Sequence, residues 1–340
     1  MKQYNDIGKK KTFFRSCEIH TSKELWDFVK GCKNQPDLVF RGVNEAKYML
    51  YTSAQVRTNA SLGKNDYERI ISSSIYKVRD NLSLMNLLRK RSHDESDFQI
   101  LSLLQHYGCG TPIIDFSTNI DAALFFATDR HGKPVQTADK GDRNIDAYIS
   151  IYFFNRKDPN HCSVQEFTVQ GANQTKASDA ELKQKFGGRY QGLSDETKDS
   201  FVRLPYDKLT RELTTGGLFA VEGHACGQYK YCIGNRNIEY DINNERICAQ
   251  DGLFLFNGLC DKPYEEAAKN WYSNIQNYCV NIHKSLEGEI KEYLEGKGIS
   301  SCTIYPETSE SRTIIKEICK LDIDERLKPK QEKGGVGRHV

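Results

Sequence analysis

The 340-residue sequence has no CxxC pair, no apolar run of bilayer length and no excess of one charge sign. Each absence closes off a class of function. Lys plus Arg number 48 and Asp plus Glu 46, so no bulk electrostatic pull toward nucleic acid or membrane exists, and only a local basic patch can provide one. No stretch is long enough to cross a bilayer, and the opening MKQYNDIGKKKTFF has no apolar core of signal-peptide length. These features predict a cytoplasmic protein with no membrane partner. The eleven cysteines are scattered from Cys17 to Cys319. Cys226 and Cys232, with His224 beside them, are separated by five residues, which fits no common zinc spacing. Buried, reduced thiols and no metal are expected.

The apolar share is 38% and the charged share 28%, a globular composition. The length sits just above the usual ceiling for one core. One elaborated domain over 13–326 is expected, with a polar insertion around 170–202 and flexible tails at 1–12 and 327–340. Lys9, Lys10 and Lys11 read as a solvated run.

The patterning predicts an α+β protein of split mixed and antiparallel sheets with flanking helices. Thr21-Ser22-Lys23-Glu24 is a capping-box pattern that opens a helix. DLVFRGV reads as a strand, residues 66–91 as one helix, DFQILSLLQHYG as another, and PIIDF as a short strand. Asn119 caps the apolar NIDAALFFATD helix. AYISIYFF, GLFAVEG and RICAQDGLFLFNG read as β-rich. The stretch from Pro263 to Gly298 reads as mostly helix, and TSESRTIIKEICKL as a last helix capped by Ser309 or Ser311.

Polar residues concentrate at the ends of these elements. Arg41 beside Gly42 suits a phosphate or carboxylate, because a guanidinium fork binds such groups bidentately and glycine admits close approach. A core ion pair explains Arg41 equally well. Ser117 and Thr118 either cap the next helix or face a ligand. Gln105, His106 and Tyr107 at one helix end are either an interior set or a functional one. Arg89, Lys90 and Arg91 suit the C-terminus of their helix, with nucleic-acid contact as the alternative.

These segments also carry a resemblance. FRG at 40–42, QHYGCGTPIIDFSTNIDAALFFA at 105–127, RICAQDGLFLF at 246–256 and GISSCTIYPE at 298–307 together resemble an FRG-domain protein. One departure stands out. Where the family usually has Pro-Thr-Arg-Leu-Leu-Asp, this chain has Thr111-Pro112-Ile113-Ile114-Asp115. The order of motifs is more remotely similar to that of ADP-ribosyltransferases, which implies NAD as substrate, while the FRG-domain resemblance implies a toxin, toxin–antitoxin or phage-defence setting. On that likeness Arg41, Gly42, Gln105, Ser117 and Thr118 would hold NAD. His106, Tyr107, Asp115 and Gln250 would serve catalysis. Arg89, Lys90 and Arg91 would meet a single-stranded nucleic-acid acceptor, RNA in preference, and an antitoxin or regulatory protein would be a partner. Gln250 stands where such enzymes usually carry a glutamate, so Asp115, Glu245 or Glu222 would have to supply the charge. The alternatives are an NAD-hydrolysing enzyme and a non-catalytic module that senses a nucleotide or binds a partner.

Overall fold

The computed structural model describes residues 1–91, 97–130, 138–155, 245–271 and 277–329, with the short segments 175–176, 191–192, 202–203, 218–222, 228–233 and 236–241. Its strands are β1 (Arg15–Ile19), β2 (Leu38–Val43), β3 (Ile113–Ser117), β4 (Tyr148–Asn155), β5 (Thr175–Lys176), β6 (Val202–Arg203), β7 (Leu218–Glu222), β8 (Gln228–Ile233), β9 (Arg236–Asp241), β10 (Gly252–Asn257) and β11 (Tyr278–His283). The helices are α1 (Ile7–Lys10), α2 (Ser22–Lys33), α3 (Ser53–Arg57), α4 (Lys64–Arg79), α5 (Leu82–Arg91), α6 (Asp97–His106), α7 (Ile120–Thr128), α8 (Glu245–Ala249), α9 (Tyr264–Trp271), α10 (Glu287–Gly296), α11 (Ser301–Ile304) and α12 (Ser309–Lys320).

The class is α+β. Seven strands form one mixed sheet in the order β1-β11-β4-β2-β3-β10-β7. Its strands are contiguous, so the expected split into separate sheets is not what this strand order shows. Among the described strands, only β1 and β11 run parallel. The joint between β2 and β3 is minimal: Phe40 opposite Ser117 is its single pair, whereas β2 meets β4 along six.

Alternation along the strands sorts the core. Ile114 and Phe116 of β3, Leu253 and Leu255 of β10, and Val39 of β2 face one side, where the N-terminal segment and α9 pack. Ile113, Phe254 and Phe256 face the other, under α4, α5, α6 and α12. Phe40, Ile149 and Ile151 also face that second side, but under α2, α7 and α10. Two helical layers therefore share one sheet face and part over the β2–β3 joint.

Local rules set the boundaries. The Thr21 hydroxyl accepts from the Glu24 N–H, and the Glu24 carboxylate accepts from the Thr21 N–H, which starts α2 as expected. Asn119 caps α7 as expected, accepting from the Asp121 N–H at 2.9 Å.

Several expectations need correction. Residues 66–91 are two helices, because the Asn81 side chain accepts from the Leu84 N–H and starts α5 afresh. RICAQ is a helix and a turn, and the strand begins only at Gly252. The stretch read as mostly helix contains β11, whose side chains are almost all buried; a strand covered on both faces loses its alternating signature. Thr308, not Ser309 or Ser311, caps α12. The first twelve residues are not a loose tail: Tyr4, Ile7 and Lys10 are buried. The insertion expected around 170–202 and the tail beyond Pro329 fall almost wholly outside the described residues, as do His224 and Cys226.

Candidate functional site

At the minimal joint between β2 and β3, past Phe40, the two strands make no further pair, and the Asp115 carbonyl accepts from Arg41 Nη1 at 2.7 Å. By strand register Arg41 sits beside Tyr152, on the face opposite Asp115, and its guanidinium crosses the joint to reach the Asp115 carboxylate at 3.9 Å. Arg41 Nε is buried and has no hydrogen-bond partner, while the side chain as a whole remains 24% exposed. Burial draws the Arg41 pKa down, and the Asp115 charge opposes that. This arginine is anchored at one nitrogen and keeps donors in reserve.

Asp115 is held from the α6 side. Gln105 Nε2 donates to Asp115 Oδ2 at 2.7 Å. The Gln105 amide cannot turn over without loss, because its Oε1 accepts from the Ser53 hydroxyl at 2.9 Å and from the Thr111 hydroxyl. Ser53 and Thr111 are in turn tied together, since the Thr111 N–H donates to Ser53 Oγ at 2.9 Å. The order is Ser53 and Thr111, then Gln105, then Asp115, with Arg41 across the joint. From the α7 side comes Tyr305, whose ring meets Phe125 and Phe126 edge-on. Its phenol favours the charged forms of both Arg41 and Arg246. Arg246 lies over the Tyr107 ring at 5.0 Å and near the Tyr305 ring at 5.9 Å, and its Nη1 donates to the His106 carbonyl at 2.6 Å. Two guanidiniums, one carboxylate and two phenols thus gather where the helical layers part.

The other expected site residues are committed to the frame. Ser117 Oγ donates to the Gln250 carbonyl at 2.6 Å and accepts from the Asn119 N–H at 2.9 Å. The Thr118 N–H donates to the Asp251 carbonyl at 2.9 Å. Asp251 has φ 45, and Asn119 Nδ2 steadies its carboxylate at 3.0 Å. Gln250 Nε2 donates to the Ile304 carbonyl at 3.1 Å and so tethers α11 to the turn before β10. Gly42 serves packing, not ligand approach. A Cβ there would lie 1.8 Å from the Ala123 carbonyl oxygen of α7, which no side chain tolerates.

His106 and Tyr107 point into the α6 layer. The His106 ring packs edge-on against Phe254 at 5.1 Å. Burial and the nearby Arg246 pull its pKa down to about 3, so the imidazole is neutral at physiological pH and a poor proton acceptor. That argues against a proton-accepting part in the catalysis the likeness implied for it. Tyr107 is buried, and Arg246 covers one face of its ring. Arg89, Lys90 and Arg91 do end α5, but their side chains lie outside the described residues.

Sequence reasoning missed Ser53, Thr111, Tyr305 and the inward role of Arg246. Tyr305 stands in the GISSCTIYPE segment that carried the resemblance, and Thr111 adjoins the Gly-rich turn. Ser53 gave no local signal.

A family model described as FRG domain matches residues 36–136 and supports the FRG-domain family. The match contains Arg41, Gln105 and Asp115, while Arg246, Gln250 and Tyr305 lie beyond it. No curated protein and no solved structure matches the chain.

Proposed function

We propose that the β2–β3 joint binds NAD and that the protein is an ADP-ribosyltransferase, acting as a toxin on single-stranded nucleic acid, RNA in preference. The observation that carries this reading is Arg41, with unused donors, beside an Asp115 carboxylate that Gln105 holds in place. The guanidinium fork suits the diphosphate. Cleavage of the nicotinamide–ribose bond develops an oxocarbenium-like cation at C1′, and a fixed carboxylate stabilises such charge better than water does. Asp115 therefore takes the part that Gln250, neutral and bonded to Ile304, does not. Nicotinamide leaves with the bonding electron pair, and the acceptor attacks C1′ and releases a proton. Arg89, Lys90 and Arg91 remain the proposed nucleic-acid contact.

The test is incubation with adenine-labelled NAD and separate pools of RNA, DNA and protein. Label should enter RNA, Asp115→Asn should slow transfer about 100-fold or more, and Arg41→Ala should weaken NAD binding. Label appearing only as free ADP-ribose would make the protein an NAD hydrolase. A second reading is favoured by the structural bonds of Ser117, Thr118 and Gln250 and by the buried His106: a nucleotide-sensing module without turnover. Arg41-dependent NAD binding with no NAD consumed would establish it, and no NAD binding at all overturns both.

A further inference from the structure

Beyond α12 the chain turns back over α3. A cavity of about 570 Å³ opens between them, a volume within the usual range for small-molecule sites. Arg57 forms its wall. Arg57 Nη1 donates to the Lys328 carbonyl and Nη2 to the Gly108 carbonyl at 2.5 Å. A guanidinium has five donors, so these bonds leave three. Both acceptors are neutral, and no carboxylate of the described residues counters the fall in the Arg57 pKa that burial causes. Arg326 and Lys328 stand at the rim. Among the described residues each is paired within its own short segment, Arg326 Nη2 with Asp324 at 2.6 Å and Lys328 with Glu325 at 2.6 Å. Such exposed pairs are worth under about 1 kcal/mol and yield readily to a ligand's oxygens. Among the described residues the lining thus sets three cations against the one carboxylate of Glu325, and Val56, Cys319 and Pro329 give it an apolar side.

We propose that this cavity is a second binding site, separate from the Arg41–Asp115 joint, for a small phosphate ester of mononucleotide size. The Arg57 fork takes the phosphate, with Arg326 and Lys328 at the rim, and the rest of the ligand lies against Val56 and Pro329. Arg fork geometry matches phosphate oxygens. The site backs onto the turn that supports Gln105: the Gly110 N–H donates to the Leu327 carbonyl at 2.8 Å, and Thr111 follows directly.

Calorimetric titration of the full chain with AMP, and with AMP against a background of inorganic phosphate, tests this. Saturable binding with phosphate as competitor is expected. Arg326→Gln/Lys328→Gln alters only rim side chains and should weaken AMP by at least about tenfold with Tm unchanged. Arg57→Lys should weaken it too. Arg41→Ala should bind AMP as the wild type does, which keeps this outcome independent of the NAD reading. The proposal is overturned by absence of saturable AMP binding, by unchanged affinity in both cavity variants, or by binding that is lost with Arg41→Ala and kept in the rim variant.

Discussion

Lys10 and Arg41 flank the same tyrosine on the same face of the sheet, and they are treated in opposite ways. Lys10 is fully buried. Its ammonium donates to Ser150 Oγ at 2.7 Å, Asn281 Oδ1 at 2.9 Å and Cys279 Sγ at 3.7 Å, and it lies over the Tyr152 ring at 4.9 Å. Three donors meet three acceptors. Arg41, beside Tyr152 on the next strand, has one anchored nitrogen, an unpartnered Nε and a path to solvent. A cation whose every donor is satisfied belongs to the frame. One left with spare donors at a gap in the sheet is available to a ligand.

That contrast can be broken by stability measurements. Lys10→Ala should cost about 3 kcal/mol in urea unfolding, from the cavity it leaves and the acceptors it strands. Arg41→Ala should cost about 1 kcal/mol, one partly exposed hydrogen bond, while removing NAD binding. Equal costs for the two variants, with NAD affinity unchanged by Arg41→Ala, would make Arg41 another frame residue.

The pH dependence sharpens the comparison between the two sides of the sheet. Near Lys10, Glu265 accepts from the Tyr4 hydroxyl at 2.7 Å and from the Leu50 N–H, and burial raises its pKa from 4.5 to about 7. The folded protein then holds a proton that the unfolded chain releases. The stability Glu265 contributes is present below pH 4.5 and lost as pH rises to about 7. On the other side, His106 falls from 6.5 to about 3. Its contribution is present above pH 6.5 and lost as pH falls toward 3. The two oppose each other between about pH 4.5 and 6.5. Glu265→Gln should therefore make stability fall on acidification through that window, and His106→Gln should make it rise, by up to about 1.4 kcal/mol per pH unit each. Unfolding free energies at pH 6.5 and 5 decide it; parallel slopes in the two variants would show that neither group titrates as placed.

The sequence made the frame of this site legible where local chemistry decides. The Thr21 box, the Asn119 cap, β2, β3 and β4 follow from spacing and propensity alone. Arg41 and Asp115 were visible as charged residues at strand ends. What stayed hidden depends on contacts far apart in the chain. Lys10 sits in a lysine run that looks solvated, and only β4 and β11 brought together supply its acceptors. Ser53 is 52 residues from Gln105, so nothing local links them. β11 is covered on both faces and has no alternation to betray it. Ser117, Thr118 and Gln250 are polar residues near a gap, and sequence cannot tell a hydroxyl facing a ligand from one bonding the neighbouring turn.

Ser117 makes that last distinction measurable. Its hydroxyl is buried and bonded in two directions, to the Gln250 carbonyl and from the Asn119 N–H. Ser117→Ala removes both partners at once and leaves a buried carbonyl and a buried N–H unmatched, a loss of about 1–2 kcal/mol. Part of that returns, because the Asn119 side chain still caps α7. The backbone pairing of Phe40 with Ser117 does not involve the hydroxyl, so the strand joint and the Arg41 anchor stay in place. NAD affinity should then match the wild type while the unfolding midpoint drops. A fall in NAD affinity of about tenfold or more with little loss of stability would reverse the assignment. Ser117 would then face the ligand beside Arg41, and the bond to Gln250 would be one that binding exchanges.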